Sequence, residues 1–405
     1  MHDYLRQCFP GPKLAAISRI PYWVACFKGN QLRFMNRLHK RYGPVVRYGP
    51  NDLSYTDGRA WKDIYTVPKG RKENGKEAQF YGPSNSGAPH IIIEKDSARH
   101  ALVRRMFSPA FSEKALKAQE PLFQKYADML VARGREAAAA VDMTSLYNFA
   151  AFDIMADLAF GESLHMLERN QYSQWVEMVF RAVKVMPLMQ FIEFYPPVKF
   201  VFELLQPKSV VDMKRDHYNH TATRVDKRLK QGSGKQDLWK YVLESNILSR
   251  GEMYSNAEIF MSAGTETTSS LLTGLTYYLT ANPDKMKILT DEIRERFSSS
   301  EDITFESLAG LEYLNAYKFA PERWLGDPEY ADDKHDAYQP FSLGPRNCLG
   351  MNMAWHEIRL LLAKLLYNFN IESEVGPDWR DQDVYVIWDR KPLMCRLRDV
   401  CTIAT

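Results

Sequence analysis

The sequence predicts a mainly α-helical chain with small β-sheets. Three observations carry this. From Ser97 to about residue 316 the text is helical almost throughout, broken only by Gly and Pro punctuation. Within that stretch one helix runs from Ser255 to Ala281, too long and too apolar in both halves to lie anywhere but across the middle of a large domain. Strand-like text is confined to short pieces near the two ends.

In chain order, Phe9-Pro10-Gly11-Pro12 forms a rigid turn segment. Leu32, Met35, Leu38 and Tyr42 recur at helical spacing, and Gly43-Pro44 stops that helix. Val45–Tyr48 and Leu53–Tyr55 flank Gly49-Pro50-Asn51-Asp52 as a β-hairpin. Residues 68–90, rich in Lys, Gly, Pro, Ser and Asn, are a loop. The segment 184–206 is unusually apolar and is interrupted by Pro187, Pro196 and Pro197. It fits a buried helix–turn–helix, a pocket lid or a surface that dips into a membrane. Ser255 with Glu258 suggests a capping box for the long helix. Asn282-Pro283 ends that helix and caps the next. Alternation around Val384–Trp388 and Leu393–Leu397 suggests a small β-hairpin.

Composition narrows the function classes. Hydrophobic residues at 45% and charged residues at 25% exclude a disordered or fibrous chain. Lys and Arg total 53 against 50 Asp and Glu, a net +3, so there is no electrostatic case for nucleic acid. Five cysteines without CxxC spacing argue against a disulfide framework or structural zinc, and for free thiols in a reducing compartment. No stretch is long and apolar enough to cross a bilayer, and Met1–Cys8 has no signal-peptide character.

The chemistry concentrates in Phe341-Ser342-Leu343-Gly344-Pro345-Arg346-Asn347-Cys348-Leu349-Gly350, followed by Ala354 and Glu357 on a helix running to about Leu366. Gly344, Pro345 and Gly350 make a loop whose backbone comes close to something flat or bulky. Cys348 sits just before a helix N-terminus, which favours a thiolate. Arg346 can pair with a carboxylate. A thiolate in an apolar loop with an aromatic neighbour and an Arg clamp suits an axial haem ligand.

This string resembles the haem-binding loop of the cytochrome P450 family at each fixed position. A second string, Ala263-Gly264-Thr265-Glu266-Thr267-Thr268, is similar to the family's central-helix oxygen-activation pattern. The resemblance implies a cytochrome P450 fold with haem b as cofactor and Cys348 as its metal ligand. Phe341, Gly344, Arg346 and Gly350 would complete the haem loop. Gly264, beside Ala263, would leave room for dioxygen or substrate, and Thr267 with Glu266 would deliver protons. His100 and Arg104, one helical turn apart, resemble the family's propionate-holding pair. Phe319-Ala320-Pro321-Glu322-Arg323-Trp324 is similar to its meander motif. The opening Pro-rich segment resembles the hinge after the membrane anchor of microsomal members. The general flavour is that of fungal enzymes of secondary metabolism such as trichothecene hydroxylase-like proteins.

One departure matters. No Arg in the chain has a Glu three residues before it, so the family's Glu-x-x-Arg is absent. Asp291-Glu292-Ile293-Arg294 lies in a surface-type helix and does not substitute. The expectation is a single haem-thiolate domain over residues 1–405 that lacks the anchor and a block at the Ala316/Tyr317 junction. Arg323 would then lose its buried partners, at a cost of ~3–5 kcal/mol, and haem retention would be poor.

Two functions follow from the resemblance. One is a monooxygenase that inserts one oxygen atom into an apolar small molecule, with electrons from NADPH through cytochrome P450 reductase. Its substrate lining would come from residues 68–93, 184–206 and the helix before Ala263. Arg99, Arg105 and Lys364 are candidate reductase contacts. The other is an inactive or haem-binding-only truncated member. The family implies the cytosolic face of the endoplasmic reticulum membrane, with contact through 184–206; the chain by itself reads as peripheral or cytoplasmic.

Overall fold

The structure, a computed structural model, describes residues 9–400 except 85, 233, 236, 317–320 and 326. Seventeen α-helices are described, with seven short strands. The N-terminal part holds α1 (Ile20–Phe27), α2 (Gln31–Tyr42), β1 (Val45–Gly49), β2 (Asp52–Tyr55) and α3 (Arg59–Tyr65). The central part runs through α4 (Ser97–Phe107), α5 (Glu113–Glu136), β3 (Val141–Asp142), α6 (Met143–Phe160) and α7 (Met166–Arg169). It continues with α8 (Gln174–Val183), α9 (Met186–Phe194), α10 (Pro196–Leu205), α11 (Lys208–Leu229) and α12 (Trp239–Ser245). After these come α13 (Arg250–Thr280), α14 (Pro283–Arg296), α15 (Phe305–Leu308), α16 (Glu312–Asn315) and α17 (Met351–Asn368). The remaining strands are β4 (Phe369–Ser373), β5 (Asp383–Tyr385), β6 (Ile387–Asp389) and β7 (Met394–Asp399).

The core lies among α5, α6, α13 and α17. α6 is buried along nearly its whole length and packs along α13, the 31-residue helix that crosses the domain. That helix starts one and a half turns earlier than the sequence suggests. Its N-cap is Ser249, in a capping box with Glu252. Ser249-Arg250-Gly251-Glu252 and Ser255-Asn256-Ala257-Glu258 carry the same spacing, and only packing chooses between them. Ser255 is buried and donates to the Pro89 carbonyl at 3.2 Å, while Glu258 lies 3.0 Å from His217. Pro283 does open α14, but the Asn282 side chain does not cap it; its amide donates back to the Tyr278 carbonyl at 2.7 Å.

The sheets are small and antiparallel. β1 and β2 pair with Val45 opposite Tyr55, as the hairpin text predicts. The C-terminal strands do not form one hairpin. β5 and β6 pair with each other, with Asp383 opposite Asp389. β7 instead sits between β3 and β4. Alternation specifies which face of a strand is apolar but not its partner.

The segment 184–206 is a helix–turn–helix, α9 and α10, but it is not buried. Phe200, Leu204 and Leu205 are 69%, 73% and 70% exposed. Its inner face packs on α1, with the Phe191 ring 5.7 Å from Trp23 and 5.5 Å from Phe27. Ile17, Ile20 and Val24 extend the same apolar surface. Among the described residues no helix is long and apolar enough to cross a membrane.

Candidate active site

The loop carrying Cys348 leads into α17, with Gly350 at its N-cap. The Cys348 N–H donates to the Phe341 carbonyl at 2.8 Å and closes the loop. Ser342 and Gly344 take left-handed backbone angles, φ 60° and 75°. Gly344 is required there twice over, because a Cβ would also lie 1.9 Å from the Tyr65 carbonyl oxygen. Its glycine therefore serves the seating of the loop on α3. A Cβ at Gly350 would meet the Phe111 ring at an ordinary 3.7 Å. The Phe341 ring lies 5.5 Å from Trp355 on α17.

α4 docks on this loop. Asp96 caps α4 by accepting from the Arg99 N–H. Arg104 then donates to the Asn347 carbonyl and to Asn347 Oδ1, both at 2.6 Å. Arg346 forms an ion pair with Glu73 and donates to the Glu94 carbonyl at 2.6 Å. Phe107 and Phe111 bring α13 in through Phe260, at 4.8 and 5.9 Å between ring centroids.

The electrostatics of this cluster are positive. Burial, then Arg346 and Arg104, push the His100 imidazole down to about 4, so it is neutral at neutral pH. Burial, then Arg346, push Lys76 down to about 8. Burial works to raise the Glu73 carboxyl, yet Ser97 and Arg346 hold it below its usual range. Burial raises the Cys348 thiol, against the Gly350 N–H and Arg104. One carboxylate, Glu73, thus stands among Lys76, His100, Arg104 and Arg346, and Arg346 disfavours charge on both His100 and Lys76. Such a cluster suits an anionic ligand beside a thiol, which is the chemistry of a haem with its propionates. The residues fit that group. Glu73 and Lys76 escaped the sequence reading because both lie in a Lys-rich loop with no local pattern.

On α13 the candidate residues separate. Ala263 and Thr267, one turn apart, are exposed in the middle of a helix whose Met261, Thr265, Glu266 and Thr268 are buried. The Thr267 hydroxyl donates to the Ala263 carbonyl at 2.6 Å. Gly264 points elsewhere: a Cβ there would lie 2.5 Å from Met155 Sδ, so this glycine lets α6 approach. It does not supply the room for dioxygen that the motif implies. Glu266 is also on another side. Its carboxylate lies 3.0 Å from Arg390, which also donates to Ser269 and Asn148. Burial raises the Glu266 carboxyl, with Arg390 opposing. Consecutive helical residues are ~100° apart, so the motif's neighbours cannot share one face. Arg390 carried no sequence signal because it lies 124 residues from Glu266.

Three further expectations change. Arg323 is not an unpaired buried charge; it is half-exposed, paired with Asp333, and lies 4.8 Å over the Tyr330 ring. Tyr317 and Phe319-Ala320 of the meander motif, with the 316/317 junction, lie outside the described residues. Lys364 is buried against Asp128 and Arg99 is bonded to Glu252 at 2.6 Å. Of the three candidate reductase contacts, only Arg105 is freely exposed. The Asp291–Arg294 string is not purely a surface feature either. Glu292 accepts from the Tyr313 and Leu314 N–H groups at 2.7 and 2.9 Å, and Arg294 donates to the Leu366 and Phe369 carbonyls.

A thiol-bearing loop at the head of a helix, a basic cluster beside it and a long central helix define a haem-thiolate oxidoreductase. The chain belongs to the cytochrome P450 family: the Cytochrome P450 family model matches residues 10–317 and 315–395. It is 39% identical to cytochrome P450 monooxygenase efuB of Hormonema carpetanum, over 96% of this chain and 90% of that protein. It is 38% identical to cytochrome P450 monooxygenase FUM2 of Gibberella moniliformis, over 96% of each. Averantin hydroxylase of Dothistroma septosporum is 34% identical, over 96% of this chain and 86% of that protein. The chain is thus a fungal-type haem-thiolate monooxygenase by family. Membership implies a haem-iron cofactor, a redox partner that supplies electrons and a small-molecule substrate.

Proposed function

We propose that Cys348 would supply the thiolate ligand of a haem b that His100, Arg104 and Arg346 would hold, and that this site hydroxylates an apolar secondary metabolite. The observation that carries it is the surplus of positive groups around the Cys348 loop, which a dianionic cofactor would relieve. Bound there, haem iron supplies the activation of dioxygen. Thr267, exposed on the middle of α13, holds and passes a proton at its hydroxyl. Ala263 shapes the surface beside it. Glu266 acts as a positioning residue, tied to Arg390 and so fixing α13 against α6. Electrons come from NADPH through a cytochrome P450 reductase, with Arg105 as the exposed candidate contact.

A second reading is favoured by one observation. The family match is in two stretches that meet at residues 315–317, and alignments to relatives run to 458 positions, longer than the chain. This supports a single domain with a block missing at 316/317, which binds haem without turnover. The reduced, carbon-monoxide difference spectrum of the purified chain separates the two. A thiolate-type Soret band with NADPH-reductase turnover supports the enzyme. A stable band without turnover supports the second reading, and absence of any haem band sinks both.

The exposed apolar surface of α9, α10 and α1 supports attachment to the cytosolic face of the endoplasmic reticulum membrane. Replacing Phe200, Leu204 and Leu205 together by Glu is expected to abolish co-sedimentation with phosphatidylcholine vesicles. Unchanged sedimentation would refute this contact.

A further inference from the structure

Arg346 is held from two directions by one long connection. Between α3 and α4 the chain runs from Thr66 to Asp96 with no helix or strand among the described residues. Near its start the Glu73 carboxylate pairs with Arg346 Nε. Near its end the Glu94 carbonyl accepts from Arg346 Nη1 at 2.6 Å.

The two halves of this connection are anchored differently. The second half is tied to the start of α13. Ser86 Oγ donates to the Gly251 carbonyl at 3.1 Å, Ser255 Oγ to the Pro89 carbonyl at 3.2 Å and the Ile91 N–H to Asn256 Oδ1 at 3.0 Å. These bonds carry no ionic charge and do not depend on Arg346. The first half reaches outward through Glu73 and through Asn74, whose amide donates to the Ile64 carbonyl at 2.8 Å on the surface. The Glu73 and Arg346 side chains are each only 14% exposed, and the Ser97 hydroxyl on α4 supports the same carboxylate.

A guanidinium presents its donors in one plane, so a carboxylate on the Nε edge takes the approach that a second carboxylate needs. Two carboxylates side by side in a partly desolvated site also repel each other. We infer that Glu73 is a positioning residue that competes with a cofactor carboxylate for Arg346. A haem propionate reaches this guanidinium by displacing Glu73, and the first half of the connection swings outward about the half tied to α13. This rests on the haem reading under Proposed function. It adds that a loop carboxylate, remote in sequence from the Cys348 loop, sets how firmly the cofactor is kept.

Haem transfer from the purified, haem-loaded chain to excess apomyoglobin tests this without turnover. Glu73→Gln keeps the size of the side chain and removes its charge. It is expected to slow haem loss about tenfold. A merely structural ion pair would act the other way, because its loss loosens the loop. Asn74→Ala cuts the neighbouring loop bond without changing charge and is expected to leave haem loss unchanged. Trypsin is expected to cut the parent after Arg71 faster with haem bound than after haem transfer. Thermal unfolding near the parent midpoint shows that the variants are folded, and Glu73→Ala carries the same expectation where Glu73→Gln is not. Haem uptake by Glu73→Gln but not by the parent supports the proposal. Haem loss equal or faster in Glu73→Gln, slowing of the same size in Asn74→Ala, or equal tryptic cutting overturns it and leaves the haem reading standing. Absence of haem from parent and Glu73→Gln alike overturns both.

Discussion

Cys348→Ala in the full chain is expected to abolish the thiolate-type Soret band and to reduce bound haem to background. Of the three cysteines described, Cys26 and Cys395 are packed inside, whereas Cys348 opens to the surface although its thiol is partly desolvated. Among the described residues no cluster of His, Cys, Asp and Glu offers another metal site. Among the described residues, only the Cys348 loop combines a thiol with Arg104 and Arg346 on one side and a helix N-terminus on the other. Losing this thiol would remove the proposed ligand outright, while the basic cluster alone would hold only the carboxylates. Pyridine haemochrome content and the carbon-monoxide difference spectrum, read on parent and variant together, check this. Equal haem content with an unchanged band would reassign the ligand.

The second large effect concerns stability. Glu357 is fully buried in α17, and its carboxyl meets no polar group beyond the Thr268 side chain among the described residues. Burial pushes its carboxyl up to about 8, with Thr268 beside it working in the opposite direction. The folded protein thus keeps a proton on Glu357 that the unfolded chain releases above the ordinary value of 4.5. Folding then binds more protons than unfolding, so this group lowers stability as pH rises from about 4.5 to 8. Glu357→Gln removes that dependence. It is expected to leave urea stability nearly unchanged at pH 4.5, and to raise it at pH 7 by on the order of 3 kcal/mol. Parallel stability curves for parent and variant across this range would refute the buried, protonated state. The strained buried charge that the missing Glu-x-x-Arg leads one to expect is not at Arg323. Asp333, ten residues further on, takes up Arg323 instead.

Local text was enough for the helices whose ends carry their own chemistry. Gly43-Pro44 closes α2 and Pro283 opens α14 because backbone constraints act within a few residues. It failed where two local solutions were equally good. Ser249 and Ser255 offer the same cap, and the burial of Ser255 against Pro89 decides. Phe200, Leu204 and Leu205 look like core in a hydrophobicity pattern, which cannot distinguish an internal face from an apolar surface.

The sequence by itself determined the family and the central helix, because those motifs are contiguous and their form follows from backbone geometry within one loop or one turn. Only the tertiary structure decided that Gly264 faces Met155, that Glu266 is held by Arg390 and that Lys76 and Glu73 join the site. These are contacts between segments up to 273 residues apart. Helical phase places consecutive motif residues on different faces, and what each face meets is fixed by packing, which no window of local sequence contains.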